Sequence, residues 1–272
     1  MTPRIATLHG FSKANRNGTT APAAPPQSVV VRVRTHPGDW AQIIDAHEIF
    51  AWLINLETPP ESSDRLLNLL TADEQSRAWR YKIAKAREQF VIGRGLLRRL
   101  LGDYLAQDPR TVPLTYLPSG KPVLADAAPP IHFNVTHTDG WAVVAIGYHR
   151  MGVDIERIRP VIDVVGLVGR YFSRTEAEEF RGLSASDHLA AFFRGWTCKE
   201  AVIKAAGATV AYLADFDVEL NPRFPPRVKA VRDPALASAG WALAEWRTSS
   251  EAAVAFAVDG ASHVVVQPEA GL

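Results

Sequence analysis

The chain has 272 residues, 47% of them hydrophobic, with a formal charge of +1 from 30 basic and 29 acidic side chains; it can bury a large core but holds no general attraction for nucleic acid or a membrane surface. Its single cysteine, Cys198, excludes an internal disulfide framework and a multi-cysteine zinc site and suits a reducing compartment. No apolar run reaches the ~18 residues of a spanning helix and no secretory start is present, so a cytoplasmic protein is expected.

Residues 1–28 contain no Asp or Glu, and the run from Asn17 to Pro26 shows no hydrophobic periodicity. A disordered tail is expected there, with a targeting peptide carrying Arg4, Lys13 and Arg16 as the alternative. The alternation from Val29 to Arg34 predicts a first strand, and Glu48 to Leu56 a second. Thr71-Ala72-Asp73-Glu74 supplies a helix cap with acids in the first turn, predicting a helix to about Tyr81. A longer helix follows from about Ala84 to Tyr104, with Phe90, Leu97, Leu101 and Leu105 facing inward. Eight basic residues lie between Arg77 and Arg99, Lys82 and Lys85 among them, against one acid, Glu88. They form either a solvated helix surface or a seat for phosphates or an acidic partner.

Leu114 to Leu117 reads as a strand leading into the turn Pro118-Ser119-Gly120-Lys121-Pro122, with Lys121 at its tip. His132 to His137 and Trp141 to Gly147 flank Thr138-Asp139-Gly140 as a hairpin, and Gly152 to Glu156 is expected to continue it as an antiparallel meander. Along that last strand Val153 and Ile155 share one face, Asp154 and Glu156 the other, with the two acids roughly 7 Å apart at Cα. Such a pair repels itself unless it is solvated, shares a proton or holds a cation.

Ser173-Arg174-Thr175-Glu176 is a capping box opening a short helix; Ser186 or Asp187 caps a long one reaching Ala206, where Gly207 stops it. From Phe216 to Val266 strands return, broken at Asn221–Pro226 and Thr248–Glu251. The order of capped short helix, long helix and strands thus occurs twice. It starts at Thr71 and Ser173, 102 residues apart (173 − 71), and the long helices close near Gly102 and at Gly207, 105 apart (207 − 102). An internally duplicated α+β fold is expected: a tail at 1–28, an N-terminal half at 29–150 and a C-terminal half at 151–272, related by a pseudo-twofold axis. A coincidence of common patterns is the alternative.

On a helical projection of Leu189 to Lys204, Glu200 falls among Leu189, Phe193, Trp196 and Ile203, while Lys199 and Lys204 lie on the two flanks of that stripe. A carboxylate there is costly unless paired or metal-bound. The bland alternative is a surface pair of Glu200 with Lys204. Three acids without a Cys or His cluster suit a hard cation, Mg²⁺ foremost. A glycosidase-type carboxylate pair would leave the neighbouring lysines without a role.

Gly152-Val153-Asp154-Ile155-Glu156 and Trp196-Thr197-Cys198-Lys199-Glu200-Ala201-Val202-Ile203-Lys204-Ala205-Ala206-Gly207 together resemble the paired signature of the 4'-phosphopantetheinyl transferase superfamily. Phe133-Asn134-Val135-Thr136-His137 resembles the family's upstream Phe-Asn-x-Ser-His motif, with Thr136 in place of Ser, and Gly120-Lys121-Pro122 its Gly-Lys-Pro turn. The likeness runs from about Thr71 to beyond Gly207, and the duplicated halves are those of the larger, Sfp-type members.

The resemblance implies a Mg²⁺-dependent transfer of 4'-phosphopantetheine from coenzyme A to a serine of an apo acyl or peptidyl carrier protein, releasing 3',5'-adenosine bisphosphate. It implies Asp154, Glu156 and Glu200 as metal ligands, with Glu200 also the candidate base and Lys204 a catalytic cation on the departing phosphate. Thr136 and His137 match the contacts on the 3'-phosphate side of coenzyme A. Lys121, Lys199 and Lys204 match positions near the phosphates, and Arg77 and Lys85 are further candidates for coenzyme A. A monomer with no nucleic-acid or membrane partner is expected. The rival readings are a Mg²⁺-dependent phosphohydrolase acting on a nucleotide-like pyrophosphate and a non-catalytic carrier-binding module.

Overall fold

A computed structural model of the chain describes residues 28–35, 45–125, 131–248 and 252–269. The expected tail lies outside them except for Ser28, as do residues 249–251 of the last predicted break.

In the strand β2 (Glu48–Asn55), Ile49, Ala51 and Leu53 point to one face and Phe50, Trp52 and Ile54 to the other, and all six are buried. A strand apolar on both sides has to be covered on both sides. Three further strands flank it in one sheet: β1 (Ser28–Arg34) and, beyond a long excursion, β5 (His132–Thr138) and β6 (Trp141–Gly147). The excursion carries α1 (Ser63–Leu67), α2 (Ala72–Trp79), α3 (Ala84–Leu105) and the hairpin of β3 (Leu114–Tyr116) and β4 (Pro122–Leu124). Leu66, Ile92, Leu96 and Leu100 pack onto Phe50, Trp52 and Ile54, so the helices cover the outer face of the sheet.

After β6 come β7 (Met151–Arg157), α4 (Val164–Tyr171), α5 (Arg174–Gly182) and α6 (His188–Ala206). They are followed by the hairpin β8 (Phe216–Val218) and β9 (Val228–Val231), then β10 (Trp241–Arg247), β11 (Ala252–Asp259) and β12 (His263–Pro268). The second sheet has the order β10-β11-β7, while β12 returns to pair in parallel with β1, completing the first sheet as β12-β1-β2-β6-β5. Val31, Ile49 and Val143 of the first sheet meet Val153, Ile155 and Val254 of the second. Helices α4 to α6 cover the outer face of the second sheet through Phe172, Phe180, Ala201 and Val202. The layers therefore run helix, sheet, sheet, helix, a mixed α and β architecture.

Two expectations change. The acidic strand does not continue the meander: β7 pairs with β11, placing Val153 and Ile155 in the core between the sheets. Its free edge lies along β5, where Asn134 Oδ1 accepts from the Val153 amide at 2.8 Å in place of a backbone ladder. Helix α3 does not close at Gly102, which is packed so tightly that a Cβ would stand 2.9 Å from Pro109 Cγ. It runs to Leu105 and stops on Ala106, left-handed at φ 52, as α6 stops on Gly207 at φ 74. The expected capping box forms between Ser173 and Glu176, and the expected Thr71 cap turns out to be a second box, closed by Glu74. Among the described residues no helix is long and apolar enough to cross a membrane.

Candidate active site

Helix α6 settles directly on β7 because Gly152 has no side chain there; a Cβ would stand 2.0 Å from the Ala201 carbonyl oxygen. Period-two alternation then directs Asp154 and Glu156 to the same face of β7, the helix-covered one. Asp154 is only 3% exposed. Its Oδ1 accepts from Lys204 Nζ at 2.5 Å and from Thr136 Oγ1 at 2.9 Å, and Thr136 Oγ1 itself accepts from Lys204 at 3.1 Å. The second oxygen, Oδ2, is buried and has no hydrogen-bond partner. An orphaned carboxylate oxygen in the interior is costly, and a bound cation or donor would relieve it.

Glu156 accepts from Thr138 Oγ1 at 3.3 Å. Burial pushes its carboxyl above the ordinary carboxylate range, and the charge of Asp154 pushes it further. Glu200 is driven harder: burial pushes it up to about 7, against the pull of the Lys204 ammonium and with an added push from Asp154 and Glu156. Thr136, Asp154, Glu156, Glu200 and Lys204 therefore form one electrostatic group at the junction of β5, β7 and α6. Thr138 was not anticipated. Its signal is the alternation along β5, which sets it two residues from Thr136 on the β7 side.

His137 points the other way from β5. With Arg77 it lines a cavity of about 350 Å³ whose walls include Tyr81, Phe90 and Tyr116. The Arg77 guanidinium lies over the Phe90 ring at 5.3 Å. This is a mixed aromatic and cationic lining, suited to a flat heterocycle bearing phosphate.

Three of the cations expected to meet coenzyme A are engaged with protein groups. Lys199 is fully enclosed, with its Nζ donating to both oxygens of Glu176 and to the Phe216 carbonyl. Lys121 donates to the Lys204 carbonyl at 2.6 Å and more weakly to that of Met151; burial, with Arg150 nearby, pulls it down to about 8. Lys85 sits in an exposed pair with Glu57 at 2.7 Å and does not line the cavity. The projection misjudged Lys199 because α6 is buried nearly all round, so no single stripe exists for it to flank. Cys198 is buried, and burial pushes its thiol up, away from nucleophilic use.

Among the described residues no group of three or more His, Cys, Asp or Glu side chains is drawn together closely enough to hold a metal ion. The donor set nonetheless fits a hard cation in its chemistry: oxygen-only ligands, one of them an orphaned buried oxygen, and two carboxyls raised by burial and by the neighbouring Asp154 charge.

Residues 150–257 match the family model described as the 4'-phosphopantetheinyl transferase superfamily, and residues 58–148 the model described as 4'-phosphopantetheinyl transferase, N-terminal. The chain is 36% identical over 216 residues to the 4'-phosphopantetheinyl transferase HetI of a Nostoc species, covering 78% of this chain and 88% of that protein. It is 28% identical over 159 residues to a 4'-phosphopantetheinyl transferase of Bacillus subtilis, covering 58% and 70%. To the 4'-phosphopantetheinyl transferase Sfp of Bacillus subtilis it is 24% identical over 162 residues, covering 59% and 71%.

Proposed function

The chain belongs to the 4'-phosphopantetheinyl transferase superfamily and is of its Sfp type, and from that premise we propose that it transfers 4'-phosphopantetheine from coenzyme A to a serine of an apo-carrier protein. The observation that carries this reading is the convergence of Asp154, Glu156, Glu200 and Lys204 where β5, β7 and α6 meet, with the Lys204–Asp154 ion pair and an orphaned Asp154 oxygen at its centre and the Glu200 carboxyl raised to about 7 by burial. A carboxylate with that affinity for protons can take one at neutral pH, which an ordinary glutamate does poorly.

In the proposed reaction the carrier serine oxygen forms a bond to the phosphorus bearing the pantetheine arm, and the bond from that phosphorus to the nucleotide phosphate breaks. Glu200 takes the serine proton, directly or through water. Lys204 meets the negative charge on the departing 3',5'-adenosine bisphosphate, with Thr136 holding the ammonium in line. Asp154, Glu156 and Glu200 would hold Mg²⁺, which when bound neutralises charge on the pyrophosphate. Arg77 and His137 would take the 3'-phosphate end of coenzyme A, and the rings of Tyr81, Phe90 and Tyr116 its adenine.

The reading extends to architecture. The two capping boxes lie 102 residues apart (173 − 71) and the left-handed helix ends 101 (207 − 106), a closer agreement than sequence alone suggested. Two halves, about 29–150 and 151–272, related by a pseudo-twofold axis would account for both offsets, with β12 crossing back to the first. We further propose a cytoplasmic monomer, in keeping with a single buried cysteine.

The test incubates several apo acyl and peptidyl carrier proteins with this protein, coenzyme A and Mg²⁺, with and without chelator, and weighs the carriers by mass spectrometry. The expected result is addition of one phosphopantetheine to a serine, abolished by the chelator. Breakdown of coenzyme A without a carrier would point instead to a phosphohydrolase.

A further inference from the structure

Lys199 and Glu176 are both 0% exposed. An ammonium has three protons to donate, and here all three are taken: by Glu176 Oε1 at 2.9 Å, Glu176 Oε2 at 2.7 Å and the Phe216 carbonyl at 2.6 Å. The rings of Phe216 and Phe172 stand over the same nitrogen, at 4.2 and 5.5 Å. Nothing remains with which Lys199 can hold a substrate phosphate. The Glu176 carboxylate accepts in addition from the Ser173 amide at 2.9 Å and the Val218 amide at 2.8 Å. One buried carboxylate therefore ties together the first turn of α5, the strand β8 and the middle of α6.

The residue after Lys199 is Glu200, and Lys204 lies four positions beyond Glu200. We propose that the Glu176–Lys199 pair is the positioning device of the active site: it fixes the height and rotation of α6 over β7 and so aims Glu200 and Lys204 at Asp154. Lys199 is on this view a positioning residue and not a coenzyme A ligand. The inference rests on the transferase reading above and adds a role for two residues that touch no substrate.

The physical case is the asymmetry of buried ion pairs. A buried pair contributes little net stability over an apolar pair of similar volume, yet its geometry is strict because each misplaced hydrogen bond leaves a buried charge unmet. Strict geometry beside a reacting group matters, since a displacement of about 1 Å can cost roughly a hundredfold in rate. The first half has its own pair, Glu74 with Arg98 at 2.5 Å, on a helix that presents no catalytic group. Positioning must therefore be separated from folding by experiment.

The double variant Glu176→Gln with Lys199→Met removes both charges, while glutamine can keep its place in the capping box. Its melting temperature, its coenzyme A affinity by calorimetry and its kcat on an apo-carrier that the wild type loads are measured together. The expected result is a folded protein with coenzyme A affinity within about twofold of wild type and kcat lower by roughly tenfold to a hundredfold. A folded variant with wild-type kcat, or one that has lost coenzyme A affinity at unchanged kcat, overturns the proposal.

Amine acetylation of the wild-type protein, mapped by mass spectrometry with and without coenzyme A, decides the matter even if the variant fails to fold. Lys199 is expected to stay unlabelled in both states while Lys204 is labelled and then protected by coenzyme A. Labelling of Lys199 in the free protein overturns the proposal. A wild-type protein that loads no carrier overturns the transferase reading instead, and the labelling of Lys199 still reads out its enclosure.

Discussion

Helix α3 and helix α6 start alike and are finished differently: α6 lies directly on the backbone of β7, whereas α3 meets β2 through its side chains. Each follows a capping box whose glutamate, Glu74 or Glu176, is buried and paired with a cation of the long helix, Arg98 or Lys199. Counting back 102 residues, Asp154 and Glu156 fall on Trp52 and Ile54; counting back 101, Glu200 and Lys204 fall on Arg99 and Asp103. Beneath α3, Trp52 and Ile54 fill the space as ordinary core, with Tyr104 edge-on to Trp52 at 5.8 Å. Beneath α6 the matching space holds carboxylates, a lysine and an orphaned oxygen. A helix laid over a strand thus closes a core where the strand offers apolar side chains and leaves a reactive cleft where it offers acids. The acids are costly to the fold: burial raises both Glu156 and Glu200, which measures how far the folded state disfavours their charges.

The comparison is tested most severely by removing what only the second half has. Glu200→Gln keeps the size and loses the proton acceptor; transfer is expected to fall by about a thousandfold or more, with the melting temperature at or above wild type. Asp154→Asn should lose transfer to a similar degree, with some stability lost as well because Lys204 loses its buried partner. A rate near wild type in either variant, followed by mass spectrometry of the carrier, would sink the assignment. The next largest effect is expected where the halves agree. Glu74→Ala strands the 97%-buried Arg98 cation, whose other bonds go to the carbonyls of Pro109, Arg110 and Val112. A loss of about 3–5 kcal/mol in urea unfolding is expected, with the rate per folded molecule unchanged. A selective rate loss would mean that the first latch also serves the site.

How much of this was legible before the fold was known depends on the range of the interaction that decides each feature. Both capping boxes are four-residue events, and Gly207 as a helix stop is a one-residue event; all were readable. The acids of β7 were readable from alternation, and the family from four short motifs. What covers a face was not. The choice of β11 over β6 as the partner of β7 rests on Ala252 to Val258, about a hundred residues away. The enclosure of Lys199 depends on Glu176 and Phe216, brought in from opposite directions along the chain. A helical projection tells which side chains share a face of α6, but α6 is covered on several faces, and the projection then ranks nothing. Thr138 escaped because a threonine in a hairpin strand has an ordinary explanation until its oxygen is seen beside Glu156.

A smaller effect follows from the raised Glu200 carboxyl. Its folded pKa, about 7, exceeds the ordinary 4.5, so between those values the folded protein binds more protons than the unfolded chain. Stability must therefore fall as pH rises from about 4.5 through 7, and the loss is complete above 7. Allowing for the partial exposure of the group, about 2 kcal/mol is expected across that window in the presence of chelator. Glu200→Gln should flatten this limb of the stability profile. An unchanged slope would show that the carboxylate is better solvated than its surroundings indicate.

The smallest effect should come from Arg99, the position that Glu200 would match under the proposed duplication. Arg99 pairs with Glu61 at 3.0 Å on the rim of α3, half-buried, with its side chain 36% and that of Glu61 17% exposed. A half-buried pair of this kind is expected to contribute about 1 kcal/mol, the upper end for exposed pairs, so Arg99→Gln should shift unfolding by about that much and leave transfer untouched. The contrast with Glu200→Gln is the sharpest form of the comparison, because two positions that the proposed duplication would match receive the same replacement residue. If the folds of the halves match while their chemistry does not, one variant loses the reaction and the other loses only a rim contact. Equal effects on rate would mean that the helices are coupled across the sheets, and that the first half is part of the reacting machinery and not only its frame.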